Sequence, residues 1–95
     1  MDRKKLYFHT DPGHGWLAVP AKMIKALKIE NQISCSSYIK GKTVYLEEDQ
    51  DAGLFLDASQ ANGIIFEIKN TYREHTPIRG YERFSLEVFA SIVGN

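Results

Sequence analysis

The sequence contains a single cysteine, no long apolar run and no net charge. The lone Cys35 excludes a disulfide within the chain and any zinc site built from cysteines. No apolar run approaches the roughly 20 residues that cross a bilayer, and none of signal-peptide length follows the basic first residues. We therefore expect a cytoplasmic protein with no membrane partner and no cofactor.

A formal charge of zero gives no overall attraction to nucleic acid or to a membrane. The charges are nevertheless unevenly distributed. Residues 1–45 hold eight Lys or Arg and three Asp or Glu, a net charge of +5, whereas residues 46–95 hold four and nine, a net charge of −5. The simpler interpretation is that the halves neutralise each other within one fold or across a dimer; the alternative is that they steer a charged partner.

The composition is that of an ordinary globular protein, with a hydrophobic fraction of 43% and a charged fraction of 25%. A chain of 95 residues forms one domain, which buries a single core and folds with little surplus stability. We therefore treat residues 1–95 as a single domain.

The first part of the chain has the pattern of a β-hairpin. Residues 5–10 alternate between apolar and polar positions, and residues 16–19 resume a strand. The intervening Asp-Pro-Gly-His-Gly is a turn, because proline presets its φ angle and glycine adopts positive φ. We expect Gly13 or Gly15 to have a positive φ.

A lysine-rich helix is predicted next. The 3.6-residue period of residues 20–29 places Met23, Ile24 and Leu27 on the buried side and three lysines in solvent. The lysines are as consistent with a contact surface as with a plain solvated face.

A second hairpin follows this helix. Residues 33–39 predict a strand in which Cys35 faces inward, buried and unreactive. A tight turn occupies residues 40–42, and residues 43–48 form the return strand.

The return strand leads directly into a second helix through the acids of residues 47–51. Asp49 or Asp51 is expected to cap that helix, because a short carboxylate accepts from the free N–H groups at a helix start. The helix is predicted over residues 50–61, with Phe55 on its buried side, and the Asn-Gly pair that follows ends it.

The last third of the chain is predicted to hold one strand, a loop and a final element. Residues 64–72 form the strand and residues 74–81 the loop. Residues 85–93 fit either a helix capped by Ser85, with Leu86 facing inward, or a strand, and we favour the helix.

Together these elements predict an α+β fold in the order ββαββαβ followed by the final helix. The hairpins require antiparallel pairing, so we expect an antiparallel sheet of about five strands with two or three helices covering one face. Leu27, Phe55 and Phe66 each lie on the apolar side of their element and are expected to be buried.

Residues 16–29, together with Ile33, Gly41 and residues 44–46, resemble the AbrB-type swapped-hairpin DNA-binding module. That family has a strand ending in Ile-Pro, a short helix ending in Leu-Gly-Ile and a β-hairpin, so the resemblance implies DNA binding. Lys28 stands in place of the helix-ending glycine, and the acids of residues 47–51 would repel phosphates. Nucleic acid is therefore an alternative partner that we do not favour.

A second resemblance extends over more of the chain. Small bacterial proteins of phages, plasmids and other mobile elements have stretches similar to Thr10-Asp11-Pro12-Gly13-His14-Gly15-Trp16-Leu17, Val44-Tyr45-Leu46-Glu47-Glu48-Asp49 and Thr76-Pro77-Ile78-Arg79. The resemblance implies an accessory role that modulates a host or rival protein. It assigns no function to any residue.

The chain offers little for catalysis. His9 and His14 lie five residues apart across the turn, and with Asp11 they suggest a metal site, although histidines in polar loops are more often plain surface residues. The sequence has neither a nucleophile-elbow motif nor a glycine-rich phosphate loop. We therefore assign no catalytic or metal-binding residue and keep a small metal-dependent enzyme as an alternative.

The remaining chemistry is that of an interaction surface. Tyrosine, tryptophan and arginine are enriched at binding hot spots, and alternation places several of them opposite the apolar face of the sheet. Such a cluster forms either an exposed aromatic patch or cross-strand pairs that only stabilise the sheet. We expect a protein-binding module whose partner is a host or phage protein or, in a homodimer, a second copy. The candidate contact residues are Tyr7, His9, His14, Trp16, Tyr38, Tyr45 and Arg79.

Overall fold

The computed structural model describes residues 4–94, which form six strands and three helices. In chain order these are β1 (Lys4–Thr10), β2 (Gly15–Pro20), α1 (Ala21–Leu27), β3 (Tyr38–Lys40), β4 (Thr43–Glu47), α2 (Asp51–Ala61), β5 (Phe66–Tyr72), β6 (Glu82–Arg83) and α3 (Leu86–Val93). Short 3-10 turns lie at Glu30–Gln32 and Pro77–Gly80. The α+β class is confirmed, with one strand more than expected.

The strands form one sheet in the order β5-β1-β2-β4-β3-β6. Four of its five neighbouring pairs are antiparallel, as the hairpins predict, and the pair of β1 with β5 is parallel. The expectation of a fully antiparallel sheet is wrong for this pair. The connection through α2 carries the chain from β4 to the far edge of the sheet, and a crossover of this kind permits parallel pairing.

The three helices cover one face of the sheet and bury a single apolar core with it. Phe55 of α2 stacks on Phe66 of β5, with ring centroids 5.5 Å apart, and both side chains are buried as expected. Leu27 is only partly buried at the end of α1, so full burial is the wrong expectation for that residue. The fully buried residues of the sheet and helices include Leu17, Val19, Ile24, Ile39, Val44 and Leu46.

The first hairpin forms without positive φ at either glycine of its turn. The carboxylate of Asp11 accepts from the backbone N–H groups of Gly13 and His14, at 2.9 Å and 2.8 Å, and this closes the turn instead. Gly15 has a different role. A Cβ atom there would lie 2.7 Å from Cζ of Phe8, so the missing side chain leaves room for the Phe8 ring.

The final element is the helix α3, as favoured. The hydroxyl of Ser85 accepts from the backbone N–H of Val88 at 3.2 Å and caps it. Phe89 faces the core. Leu86 is exposed, against expectation, because it occupies the first turn of a short helix that reaches the core one turn later.

The segment before β3 departs most from the expected structure. Residues 34–37 form a turn rather than a strand, and Cys35 is exposed rather than buried. The side chain of Asp51 does not cap α2. It is buried, and its Oδ2 accepts from the backbone N–H and hydroxyl of Ser34 and from the hydroxyl of Ser37. The carboxylate thus accepts the backbone N–H of Ser34, which a strand partner would otherwise have accepted, and β3 begins only at Tyr38.

Among residues 4–94, no helix combines the length and apolar character needed to cross a membrane.

Candidate binding surface

The sheet face opposite the helices carries most of the predicted contact residues. Strand register places His9 opposite Trp16. In the next row across the sheet, Tyr7 faces Ala18 of β2, Ala18 faces Tyr45, and Tyr45 faces Tyr38. Neighbouring rings lie close, with Trp16 and Tyr38 centroids 6.1 Å apart. Side chains alternate between the two faces of a strand, so these residues form one surface, named the aromatic face: Tyr7, His9, Trp16, Tyr38 and Tyr45.

A chain segment crosses this face. Because β5 and β6 lie at opposite edges of the sheet, the connection between them, residues 73–81, must pass over it; we name it the strap. Ile78 of the strap is buried, and the Tyr81 ring lies 5.2 Å from that of Tyr45. The guanidinium carbon of Arg79 lies 5.5 Å from the centroid of the Trp16 ring.

The strap changes the exposure of the aromatic face. Trp16 is only 2% exposed, and Tyr38 and Tyr45 are half-buried. Tyr7, at 48%, remains open to solvent. A fully exposed aromatic patch is therefore the wrong expectation, since residues 73–81 cover its centre.

Arg79 fastens the strap to the first hairpin. Its Nε donates to Oδ2 of Asp11 at 2.6 Å, and its Nη2 donates to Oδ1 at 3.0 Å. Nη2 also lies 2.9 Å from Nδ1 of His14, whose ring stacks on that of Trp16 at 5.9 Å. A forked guanidinium–carboxylate pair fixes both distance and orientation. The predicted residues His14, Trp16 and Arg79 are thus brought together, and Asp11, which sequence reasoning weighed only as a metal ligand, holds them.

This pairing lowers the pKa of Asp11 well below its ordinary value of 3.8, chiefly through the hydrogen bond from Arg79 and also through the backbone N–H groups of His14 and Gly13. The same pair raises the pKa of Arg79. A carboxyl group with a depressed pKa stabilises the folded state above its ordinary pKa. That contribution is lost as the pH falls below 3.8 towards the depressed value.

We expect the stability difference between wild type and Asp11→Asn to be greatest at neutral pH and to shrink as the pH falls below about 4. Urea denaturation at pH 7 and at acid pH measures it. The matched control is the same substitution in an Arg79→Gln background, where the pH dependence of the difference should largely disappear. A difference that stays constant with pH in both backgrounds would contradict the role of this ion pair.

A small cavity of about 120 Å³ lies beneath the strap. In it, Nδ1 of His9 is 2.9 Å from the hydroxyl oxygen of Thr71. Burial, and secondarily the charge of Arg73, lowers the pKa of His9, which favours the neutral imidazole. Burial and then Tyr81 raise the pKa of Tyr45. Of these groups, Tyr45 contacts the strap directly, through the ring of Tyr81.

A larger groove of about 470 Å³ lies beside the strap. Trp16 and Tyr38 line its aromatic part, and Arg79 and Arg83 line it from the strap and β6. The acidic turn after β4, with Asp49, also contributes to its lining. The groove therefore combines apolar ring surface with charges of both signs.

Arg83 lines the groove although it is not among the candidate contact residues chosen from the sequence. Its guanidinium carbon lies 5.2 Å from the centroid of the Tyr38 ring, and Nη1 donates to the carbonyl of Cys35 at 2.9 Å. Within residues 4–94, no carboxylate lies within 4.0 Å of it. The sequence signal was weak, because only the two-residue strand β6 places Arg83 directly opposite Tyr38.

The three histidines lie in different surroundings. His9 contacts Thr71, His14 contacts Arg79, and His75 is exposed on the strap. In the described part of the chain, no three His, Cys, Asp or Glu side chains are grouped to hold a metal ion.

Comparison of the chain with models of protein families, with curated proteins and with solved structures found no match.

Proposed function

We propose that this chain is a non-enzymatic protein-binding module that receives a segment of another protein in the groove over Trp16 and Tyr38. The observation that carries the proposal is the position of Arg83, a cation stacked on Tyr38 with no carboxylate of the described chain within ion-pair distance. Arginine and aromatic residues that share one concave site are the usual anchors of protein interfaces.

The groove also indicates the chemistry of the partner segment. Arg79 is already paired with Asp11, so it stiffens the site and adds little free charge. Arg83 remains available to pair with a carboxylate, and the half-buried ring of Tyr38, which packs on the buried Trp16, offers an apolar surface beside it. We infer a partner segment that carries an acidic side chain next to an aromatic or aliphatic one.

The preformed strap supports binding without a large rearrangement. Because the ion pair of Arg79 with Asp11 and the burial of Ile78 hold the strap in place, few side chains must be ordered when a partner binds. The pattern shared with small proteins of phages and plasmids extends the proposal to an accessory role directed at a host or phage protein.

A second candidate function is DNA binding, which the exposed lysines of α1 and of its C-terminal cap favour. Lys22, Lys25 and Lys28 are all exposed, and the backbone carbonyl of Lys42 accepts from Ala21, so a further lysine lies near them. Binding of DNA through such a surface would weaken steeply with added salt. The groove proposal instead requires affinity that depends on Arg83 and Tyr38.

The test compares four tagged proteins as baits in lysate of the native host: wild type, Arg83→Glu, Tyr38→Ala and Lys25→Glu. Quantitative mass spectrometry identifies the proteins retained, and affinities are then measured with the purified partner. We expect Arg83→Glu and Tyr38→Ala each to reduce affinity by roughly 30-fold, the effect of losing a hot-spot residue, and Lys25→Glu to leave it unchanged. A partner lost with Lys25→Glu but retained by both groove variants would overturn the proposal.

A further inference from the structure

The edge strand β5 is an exposed surface that the groove does not use. One side of it pairs with β1 along the whole register from Phe66 to Tyr72. On its other side, no strand of the described chain is paired with it. An uncovered edge seven residues long presents a row of backbone donors and acceptors to any strand of matching register.

Apolar side chains exposed to solvent concentrate at this edge. Ile65 is 60% exposed, Ile68 36% and Tyr72 61%, and Tyr7 on the neighbouring strand is also exposed. These four are among only six large hydrophobic side chains exposed in the described chain. Water-exposed apolar side chains along a strand edge indicate an interaction surface.

We propose that two copies of this chain associate through antiparallel pairing of β5 with β5, about a two-fold axis that passes midway between the two copies of Ile68. In this register Glu67 of each copy faces Lys69 of the other, and Ile68 faces Ile68. The further pairs are Ile64 with Tyr72, Ile65 with Thr71, and Phe66 with Asn70.

The charges of β5 favour this register over the two that are centred on Glu67 or Lys69, and their symmetry about Ile68 suits a second copy as the occupant. Glu67 and Lys69 flank Ile68 symmetrically, and within one copy they already form an ion pair of 3.3 Å. Facing residues of an antiparallel pair lie on the same side of the sheet. The axis must therefore lie between two copies of the same residue, because successive residues of a strand point to opposite sides. An axis through Glu67 or Lys69 would set like charges against each other, which is destabilising. The axis through Ile68 instead makes two ion pairs between the copies.

The pairing joins two six-stranded sheets into one and leaves both grooves free. The axis is perpendicular to the sheet, so both aromatic faces lie on the same side of the dimer. The inference does not rest on the groove proposal, because Arg83 and Tyr38 belong to strands at the other end of the sheet.

Sedimentation velocity across a wide concentration range tests the register with Glu67→Lys, Lys69→Glu, the double variant and an equimolar mixture of the two single variants. Each single variant sets like charges opposite each other at both positions, so we expect association to weaken by about tenfold. The double variant and the mixture restore opposite charges and should recover the wild-type dimer. A wild type that stays monomeric, or a mixture as weak as its components, would overturn the proposal.

Two further variants separate the interface from general effects. Ile68→Lys places two ammonium groups at the axis and should abolish dimerisation, whereas Leu86→Lys, which removes an exposed apolar residue of α3, should not. Circular dichroism and thermal melts establish that each variant is folded. Arg83→Glu should dimerise like wild type; loss of dimer in that variant alone would place the interface at the groove and contradict pairing through β5.

Discussion

The Asp51→Ala variant is expected to lose about 3–5 kcal/mol of unfolding free energy, because the buried carboxylate satisfies three donors at once. Its Oδ2 accepts from the backbone N–H of Ser34 at 3.0 Å, from the hydroxyl of Ser34 at 2.8 Å and from that of Ser37 at 2.6 Å. The hydroxyl oxygen of Ser37 in turn accepts from the backbone N–H of Glu47 at 2.9 Å. Removing the carboxylate leaves these donors without their acceptor, and the hydroxyl of Ser37 among them is fully buried.

Chemical denaturation of Asp51→Ala, Asp51→Asn and Asp57→Ala measures this effect. Asparagine keeps the size of the side chain and one acceptor oxygen, so its loss should be intermediate. Asp57 lies exposed on the same helix, and its removal should change the free energy of unfolding by less than about 0.5 kcal/mol. Equal values for the variants at positions 51 and 57 would show that the network contributes nothing to stability.

The Phe55→Ala variant is expected to lose about 3–5 kcal/mol, the usual effect of truncating a buried aromatic side chain. Phe55 is fully buried and stacks on Phe66, which lies at the start of β5. This contact holds α2 against the edge of the sheet. The loss is a large share of the roughly 5–15 kcal/mol by which a domain is stable.

A series at three positions gives the expected order of losses. The loss of unfolding free energy should be larger for Phe55→Ala than for Leu27→Ala. Leu27 is only partly buried, so its truncation leaves a site already open to water. The loss for Phe66→Ala should lie between these two values or near that of Phe55→Ala, since both rings belong to the same stack. Thermal melts that find Leu27→Ala the most damaging would contradict the packing of α2 on β5.

The sequence by itself determined the elements whose signals are local. Alternation in residues 5–10 and 16–19 with a turn between them predicts the first hairpin, and the 3.6-residue period predicts α1 and α2. Ser85 at the start of an apolar stretch predicts α3. In each case neighbouring residues along the chain make the contacts that decide the structure, and alternation also placed Tyr7 and His9 on one face of their strand.

Only the tertiary structure decided what lies on either side of those elements. The parallel pairing of β5 with β1 and the pairing of Asp11 with Arg79 join residues more than 60 positions apart. The strap over the aromatic face likewise joins distant residues, such as Tyr45 and Tyr81. Asp51 illustrates the same limit at shorter range. Its position suits a helix cap, yet its carboxylate is turned to Ser34 and Ser37, because a turn with unpaired donors packs against it. Sequence periodicity reports which side of an element is apolar, whereas the identity of the group that meets a polar side chain depends on how the elements assemble.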